Sequence, residues 1–384
     1  MNMRGVLAQM MVIIILSCLS YSCIDEYPLE ITAYENLLVV DGSITNAPGP
    51  YTVKLSRSTS VSSPRYVPVE DAFIRIEDDL GQEIMLHETE AGIYMTTDSS
   101  IQGVPGRSYK LIIMLTGGEI YESPFTKLRQ VVGVDSVFSK IESQPTRNPD
   151  EDIEGLQFYL NTENTSEDSV YYYWRLQETY EYHAAFTIDY VYVGEIVPFI
   201  NSDSLFTCYK TNEIPRIYTL STANNATSRL NNHPLHFVGA DSYRLSVRYS
   251  LLIKQYNIDE AAYNFWKSVK EQVSDENLLF NSQVYQVRGN VRNVNNPSEP
   301  VMGYFTVAGA SLKRIFVNKP FHLDVKQPEC IAGEDMRWIF YSGPEDWPIF
   351  MTSAQGGTRL ADEYCFDCRI NGGVLKKPDF WIDE

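Results

Sequence analysis

Short runs of alternating apolar and polar residues recur along this chain, and each is closed by glycine, proline or aspartate. In residues 51–56, Tyr51, Val53 and Leu55 alternate with Thr52, Lys54 and Ser56, the period of a strand buried on one face. The stretches "DAFIRIEDDLGQEI", "AGIYMTT", "GVPGRSYKLIIML" and "GGEIYESPF" follow in turn, and each couples a few strand-forming residues to turn chemistry. Leu37 to Val40 are strand-like, and Asp41-Gly42 is expected to bend the chain. Pro105-Gly106 fits the centre of a type II turn, where glycine accepts a positive φ. Even spacing of short strands and turns predicts a β-sandwich over residues 23–130.

Residues 131–384 are expected to form a larger β-rich domain. Its opening stretch "SQPTRNPDEDIEG" is rich in breakers and reads as a loop. Strands resume with "LQFYLNT" and "SVYYYWRLQETYEY". The cleanest alternation is "SYRLSVRYSLL", with Tyr243, Leu245, Val247, Tyr249 and Leu251 on one face and Arg244, Ser246, Arg248 and Ser250 on a wet one. One amphipathic helix interrupts this region near residues 258–273. Ile258, Ala262, Phe265, Trp266, Val269 and Val273 fall on one stripe, expected to pack on a sheet, and Asn257 with Glu260 matches a capping box. Beyond it "VYQVRGNVRN" and "GYFTVAG" read as strands, and the tail "CFDCRINGGVLKKPDFWIDE" reads as irregular and cross-linked.

The amino end carries a different signal. The apolar run from Val6 to Leu19, preceded by Arg4, is shorter than the roughly 20 residues of a spanning helix and ends in small residues. Residues 1–22 therefore read as a secretory leader. Ser22-Cys23 fits lipoprotein processing, in which the thiol takes a diacylglyceryl group and the new amino terminus is acylated. More than one acyl chain gives stable anchoring. Ile15-Leu16-Ser17-Cys18 is a rival site, but cutting there leaves an apolar Leu-Ser-Tyr start.

Removing the leader leaves about 362 residues and moves the net charge from −19 to −20. That acidity argues against nucleic acid and against anionic membrane surfaces as partners. Tyrosine, at 26 copies, suits strands and amphipathic contact surfaces. Four further cysteines, Cys208, Cys330, Cys365 and Cys368, suggest disulfides in an exported chain, with three possible pairings. Cys365 and Cys368 are expected to reach back to Cys330 and Cys208 and staple the tail. A four-thiolate zinc site wants a second short-spaced pair, and a redox CxxC wants to open a helix.

No phosphate-binding glycine loop, dinucleotide fingerprint, HExxH or nucleophile elbow is present. His233 and His236 form an HxxH pair with no third ligand nearby. Asp150, Asp152, Glu154 and Gly155 copy half a calcium loop, but its twelfth position is Asn161 rather than glutamate. No metal or other cofactor is expected. A carboxylate pair of the glycosidase kind is defined through space and cannot be picked from sequence. Trp338, Tyr341 and Trp347, with Phe340 and Phe350, are candidates for stacking on a sugar, with a core role favoured. Ser136, Ser169 and Ser204 sit in Asp-Ser-aliphatic triplets that resemble an O-glycosylation pattern and would mark exposed loops.

Taken together, "CIDEY", "LLVVDGSITNAPGPYTVKLSRS", "YYYWRLQETYEY", "AYNFW", "VRGNVRN" with "GYFTVAG", and the ending "CFDCRINGGVLKKPDFW" resemble the Bacteroidetes lipoprotein family called domain of unknown function 4249. The resemblance runs over essentially the whole mature chain. It implies an Ig-like or transthyretin-like first domain and companionship with a TonB-dependent outer-membrane receptor, and it supplies no catalytic residues. In such lipoproteins Asp25 and Glu26 resemble a signal for export to the outer face of the outer membrane. The expectation is a non-enzymatic, lipid-anchored surface protein assisting nutrient uptake. A glycan-binding or adhesive module is the alternative, and a glycoside hydrolase a more distant one.

Overall fold

The computed structural model describes residues 36–59, 63–97, 102–146, 148, 151–163, 170–225, 227–274, 287–333, 337–354 and 356–382. The leader and Cys23 lie outside them. The fold is mostly β, as expected. Its first strands are β1 (Leu38–Thr45), β2 (Thr52–Arg57), β3 (Val67–Pro68), β4 (Phe73–Asp78), β5 (Glu83–Glu90), β6 (Ile93–Thr96), β7 (Ser108–Met114), β8 (Ile120–Glu122) and β9 (Thr126–Lys127). Then follow β10 (Val134–Pro145), β11 (Asp152–Thr162), β12 (Tyr171–His183), β13 (Tyr190–Tyr192), β14 (Ile196–Pro198), β15 (Thr207–Ser221), β16 (His233–Gly239) and β17 (Arg248–Ile258). The helix α1 (Glu260–Ser274) precedes β18 (Arg292–Asn293), β19 (Met302–Asn318), β20 (Ile349–Ala354) and β21 (Gly357–Leu360).

One long sheet runs in the order β15-β12-β17-β19-β1-β2-β6-β5-β4-β7-β8-β18. Its β1 end curls round a first core in which Val53 and Leu55 alternate inward and meet Leu38, Val40, Ile76 and Leu111. Val291, Val301, Phe305 and Val307, from far beyond residue 130, complete that core. The other end packs on a second sheet, β10-β11-β16, around Phe158, Leu160, Trp174, Leu176, Tyr249 and Ile253. A small sheet, β14-β13-β20-β21, sits apart on its own cluster of Tyr192, Ile339, Ile349, Met351 and Leu360. Among the described residues no helix is long and apolar enough to cross a membrane.

Pro105-Gly106 forms the expected turn: the Arg107 N–H donates to the Val104 carbonyl at 3.1 Å, and Gly106 has φ +95°. Asp41-Gly42 does not bend the chain. It lies inside β1, held by antiparallel pairing to β2 and parallel pairing to β19. Gly42 serves close packing instead, since a Cβ there would lie 2.8 Å from Val53 Cγ2.

Three other expectations are corrected. The strand expected from residue 242 starts at Arg248, because Tyr243–Leu245 is a 3-10 turn that buries Leu245. Its second face is not wet: Ser250 is fully buried and accepts a hydrogen bond from Arg314 Nη1 at 3.0 Å, and the Arg248 guanidinium lies over Phe316. The loop after residue 143 is short, since β10 runs to Pro145 and β11 begins at Asp152, so Asp152, Glu154 and Gly155 are strand residues.

The helix forms where expected, and Ala262 and Phe265 pack on Tyr173, Tyr304 and Ala308 of the sheet. Its cap is Asp259, whose Oδ1 accepts the Ala262 N–H at 2.8 Å, while Asn257 turns to the Gln130 carbonyl. Val273 is exposed and leaves the stripe. Of "VYQVRGNVRN", only Arg292–Asn293 is strand among the described residues.

Disulfides join Cys208 to Cys368 and Cys330 to Cys365. The first closes 160 residues and is buried in the second core, which ties the irregular tail to β15.

Candidate ligand-binding cleft

Side chains alternate across a strand, so neighbouring strands of the long sheet send matching residues to one face. On the face away from the second core, β12 presents Tyr173 and Arg175, β17 presents Tyr256 and Lys254, and β15 presents Glu213. The register sets Tyr173 opposite Tyr256 and Arg175 opposite Lys254. Farther along the same face, β19 brings Thr306, β1 brings Asp41 and Ser43, and β2 brings Thr52 and Lys54. The helix lies over this face and places Trp266 above Tyr173, ring to ring, with centroids 4.7 Å apart and planes 8° apart. Tyr256 continues the stack at 5.8 Å. Between helix and sheet a cleft of about 370 Å³ remains. It adjoins a second hollow of about 280 Å³ that shares Asp41, Tyr173, Arg175 and Trp266 and extends to Glu213 and Arg216.

The polar groups of this cleft are largely uncommitted. Among the described residues, the side chains of Asp41, Ser43, Thr52, Lys54, Arg175 and Thr306 make no hydrogen bond or ion pair. The Tyr173 and Tyr256 hydroxyls also lack a partner there, and the buried Trp266 Nε1 has none. Arg175 sits directly across from Lys254, an arrangement of like charges that weakens strand pairing. Glu213 relieves half of it by accepting from Lys254 Nζ at 2.9 Å and from Gln177 Nε2 at 2.9 Å.

Burial works to raise the Glu213 carboxyl, but Lys254, Gln177 and Arg175 hold it below the usual carboxylate range. For Arg175, burial works to lower the guanidinium, yet Tyr173, Asp41, Tyr256 and Glu213 keep it above its ordinary value. The result is a charged planar fork to which no acceptor is bound among the described residues. A larger hollow, about 980 Å³, lies between α1 and β18 and holds Arg288 and Arg292. Its lining includes Val287 and Arg288.

The residues singled out from sequence lie elsewhere. Trp347 packs at the small sheet: its Nε1 donates to Ser342 Oγ at 3.1 Å, and its ring meets Tyr192 edge to face. Tyr341 is 90% exposed, and the Trp338 side chain lies outside the described residues. His233 stacks near Trp174, whereas His236 is buried with its Nδ1 2.7 Å from the Tyr218 hydroxyl. Among the described residues no three His, Cys, Asp or Glu side chains gather round a metal position. Ser136 is within β10 and accepts from Asn161 Nδ2, so it does not mark an exposed loop. Ser204 does lie in an exposed turn, and Ser169 is outside the described residues.

Sequence reading missed the cleft because its residues come from strands far apart in the chain. The one local hint is Arg175, a lone cation inside the aromatic run "YYYWRLQ".

Fold and cleft together define a β-rich protein with two cores, in which a helix roofs a groove of aromatic rings and unpaired polar groups. The chain belongs to the family described as domain of unknown function DUF4249, whose model matches residues 24–314. A search of curated proteins finds no match to the chain.

Proposed function

We propose that this protein is a non-enzymatic lipoprotein of the outer-membrane surface, anchored through Cys23, that captures a small ligand in the cleft and delivers it to a TonB-dependent receptor. The uncommitted cleft carries the reading. Structural polar groups find partners, and a convergent set left without them is poised for a ligand. The leader and Ser22-Cys23 supply the placement.

The non-enzymatic part is supported by Glu213. A glycosidase pairs a carboxyl kept protonated as general acid with an ionised one, and Glu213, shifted downward, does not suit the acid role. A glycan-binding or adhesive surface is the second reading. It is favoured by the small sheet, where Tyr341 and Phe340 stand 90% and 64% exposed.

The test is mild detergent extraction of the full chain from its own membranes. A β-barrel receptor should co-purify, and Cys23→Ser should lose acyl labelling and membrane association. Recovery of the protein alone, or unchanged anchoring of Cys23→Ser, would overturn the proposal.

A further inference from the structure

Building on the capture reading, we infer that the ligand of the cleft is a polyhydroxylated carboxylate, the chemistry of a uronic-acid sugar. Its carboxylate would sit on Arg175, and its ring would lie among the hydroxyls of β1, β2 and β19 beside the Trp266–Tyr173 stack.

Charge comes first. The chain carries −19 overall, yet Lys54, Arg175, Lys254 and Arg216 line the cleft and its adjoining hollow against Asp41 and Glu213, a local surplus of two positive charges. Lys254 is engaged by Glu213, and Asp41 faces Lys54 across the β1–β2 pair. The Arg216 guanidinium lies over the Tyr218 ring, which leaves Arg175 as the guanidinium open to the cleft. Its planar donor fork matches a carboxylate, which it holds by two parallel charge-assisted bonds. So small a positive surplus in so acidic a protein suits a singly charged ligand and disfavours a polyanion.

The hydroxyls narrow the class further. Ser43, Thr52 and Thr306 line the cleft and have no partner among the described residues. Each can donate and accept, as can the phenols of Tyr173 and Tyr256, and the Asp41 carboxylate accepts. A fatty acid would leave all of these unpaired, a loss the cleft would charge against binding. A sugar acid satisfies them with ring hydroxyls and offers its C–H face to the aromatic stack. The volume, about 370 Å³, falls at the small end of sites for small molecules.

The experiment is calorimetric titration of the detergent-solubilised full-length lipoprotein with galacturonate, glucuronate and their short oligomers. Galactose, glucose and an alanyl dipeptide serve as comparison ligands. A sugar acid should bind at least ten-fold tighter than its neutral counterpart. Arg175→Gln should weaken it by about 10- to 100-fold, the worth of a hydrogen bond to a charged group. Lys54→Gln, on an exposed side chain, should weaken it less.

Equal binding of neutral sugar, undiminished binding by Arg175→Gln, or silence of every sugar acid at millimolar concentration overturns the inference. Tighter binding of the dipeptide keeps the carboxylate but removes the sugar, and overturns it as stated. Co-purification of Arg175→Gln with a receptor is read in parallel. If receptor association persists while sugar acids fail, the ligand class is wrong and the capture partnership stands. If sugar acids bind and no receptor is recovered, the reverse holds.

Discussion

Alternate residues of β12 and β17 meet two different fates. Facing the second core, Trp174 Nε1 donates to Gln255 Oε1 at 2.9 Å, and Gln255 Nε2 donates to the Val132 carbonyl at 2.7 Å. On the neighbouring stretch, Glu178 accepts from the Tyr249 hydroxyl at 2.9 Å and from Asn212 Nδ2 at 3.2 Å, with Arg244 Nη1 at 3.4 Å. Facing the helix, Arg175, Tyr173 and Tyr256 from the same two strands have no such partners. Both faces are polar and both are rich in aromatics, so composition does not separate them. The difference lies in satisfaction. Buried polar groups cost several kcal/mol unless paired, and Trp174, Gln255, Glu178 and Tyr249 on the inner face are paired. The outer face keeps its groups hydrated in a cleft, where a ligand can replace the water.

This contrast predicts that stability resides on the inner face. The largest effect should come from Cys208→Ser with Cys368→Ser, since that bridge is buried in the second core and closes 160 residues. Chain entropy alone puts the loss on the order of 5 kcal/mol. Denaturant midpoints under oxidising conditions measure it, and a loss below about 1 kcal/mol would break the assignment. Glu178→Ala should follow, at about 3 kcal/mol, because it strands the Tyr249 hydroxyl and opens a hole in a site where Glu178 is 5% exposed. Glu178→Gln should cost about 1 kcal/mol, as it keeps the shape and an acceptor. Equal losses for the two would mean that shape is irrelevant and charge is everything.

A pH scan sharpens the same side of the comparison. Burial first, then Arg244 and Arg216, pushes the His236 imidazole down to about 4. The unfolded chain protonates this ring below about pH 6.5, whereas the fold resists until near pH 4. Stability from this group is therefore full above pH 6.5 and is lost as pH falls toward 4, by roughly 2–3 kcal/mol. His233 is lowered as well, by burial and then Lys270, and adds in the same direction. The Asp367 and Glu213 carboxyls are held below their ordinary range, so their contributions are also lost on acidification. His236→Asn keeps an acceptor for Tyr218 but cannot take the proton. Its stability should be flatter from pH 6.5 to 4, and an unchanged slope would remove His236 from the account.

Much of the fold was legible because its elements follow simple periods. Tyr51, Val53 and Leu55 alternate inward, and Ala262 with Phe265 marks the buried side of α1. Errors arose where distant pairing overrode a local signal. Asp41-Gly42 has the chemistry of a turn, yet β19 supplies Tyr304 and Phe305 as strand partners from the far end of the chain. Ser242 to Val247 alternates like a strand, but Leu245 reaches the core from a 3-10 turn. The cleft was less legible than the fold for the same reason. Asp41, Arg175, Glu213 and Trp266 become neighbours only when a sheet assembled from distant segments lays them on one face, and no spacing rule links them. Of the aromatics that did attract notice, Trp347 and Phe350 lie close in sequence because they belong to the small sheet and its packing.

The smallest predicted effect is the one that separates the two faces most sharply. Arg175→Gln removes the most distinctive group of the outer face, and the stability change should stay within about 0.5 kcal/mol of zero. The change stays small because the opposition of Arg175 to Lys254 across β12 and β17 offsets the support its charge receives from Asp41 and Glu213. An inner-face residue of the same strand, one position away, cannot behave so: Trp174→Phe abandons Gln255 inside the core and should cost about 1–2 kcal/mol. Paired thermal melts of the two variants decide the matter. If Arg175→Gln destabilises as much as Trp174→Phe, the guanidinium is a structural strut with contacts that matter to the fold, and the distinction between a satisfied face and a waiting one collapses. If it is neutral, the guanidinium contributes nothing to the fold, and a ligand is what its place on that face serves.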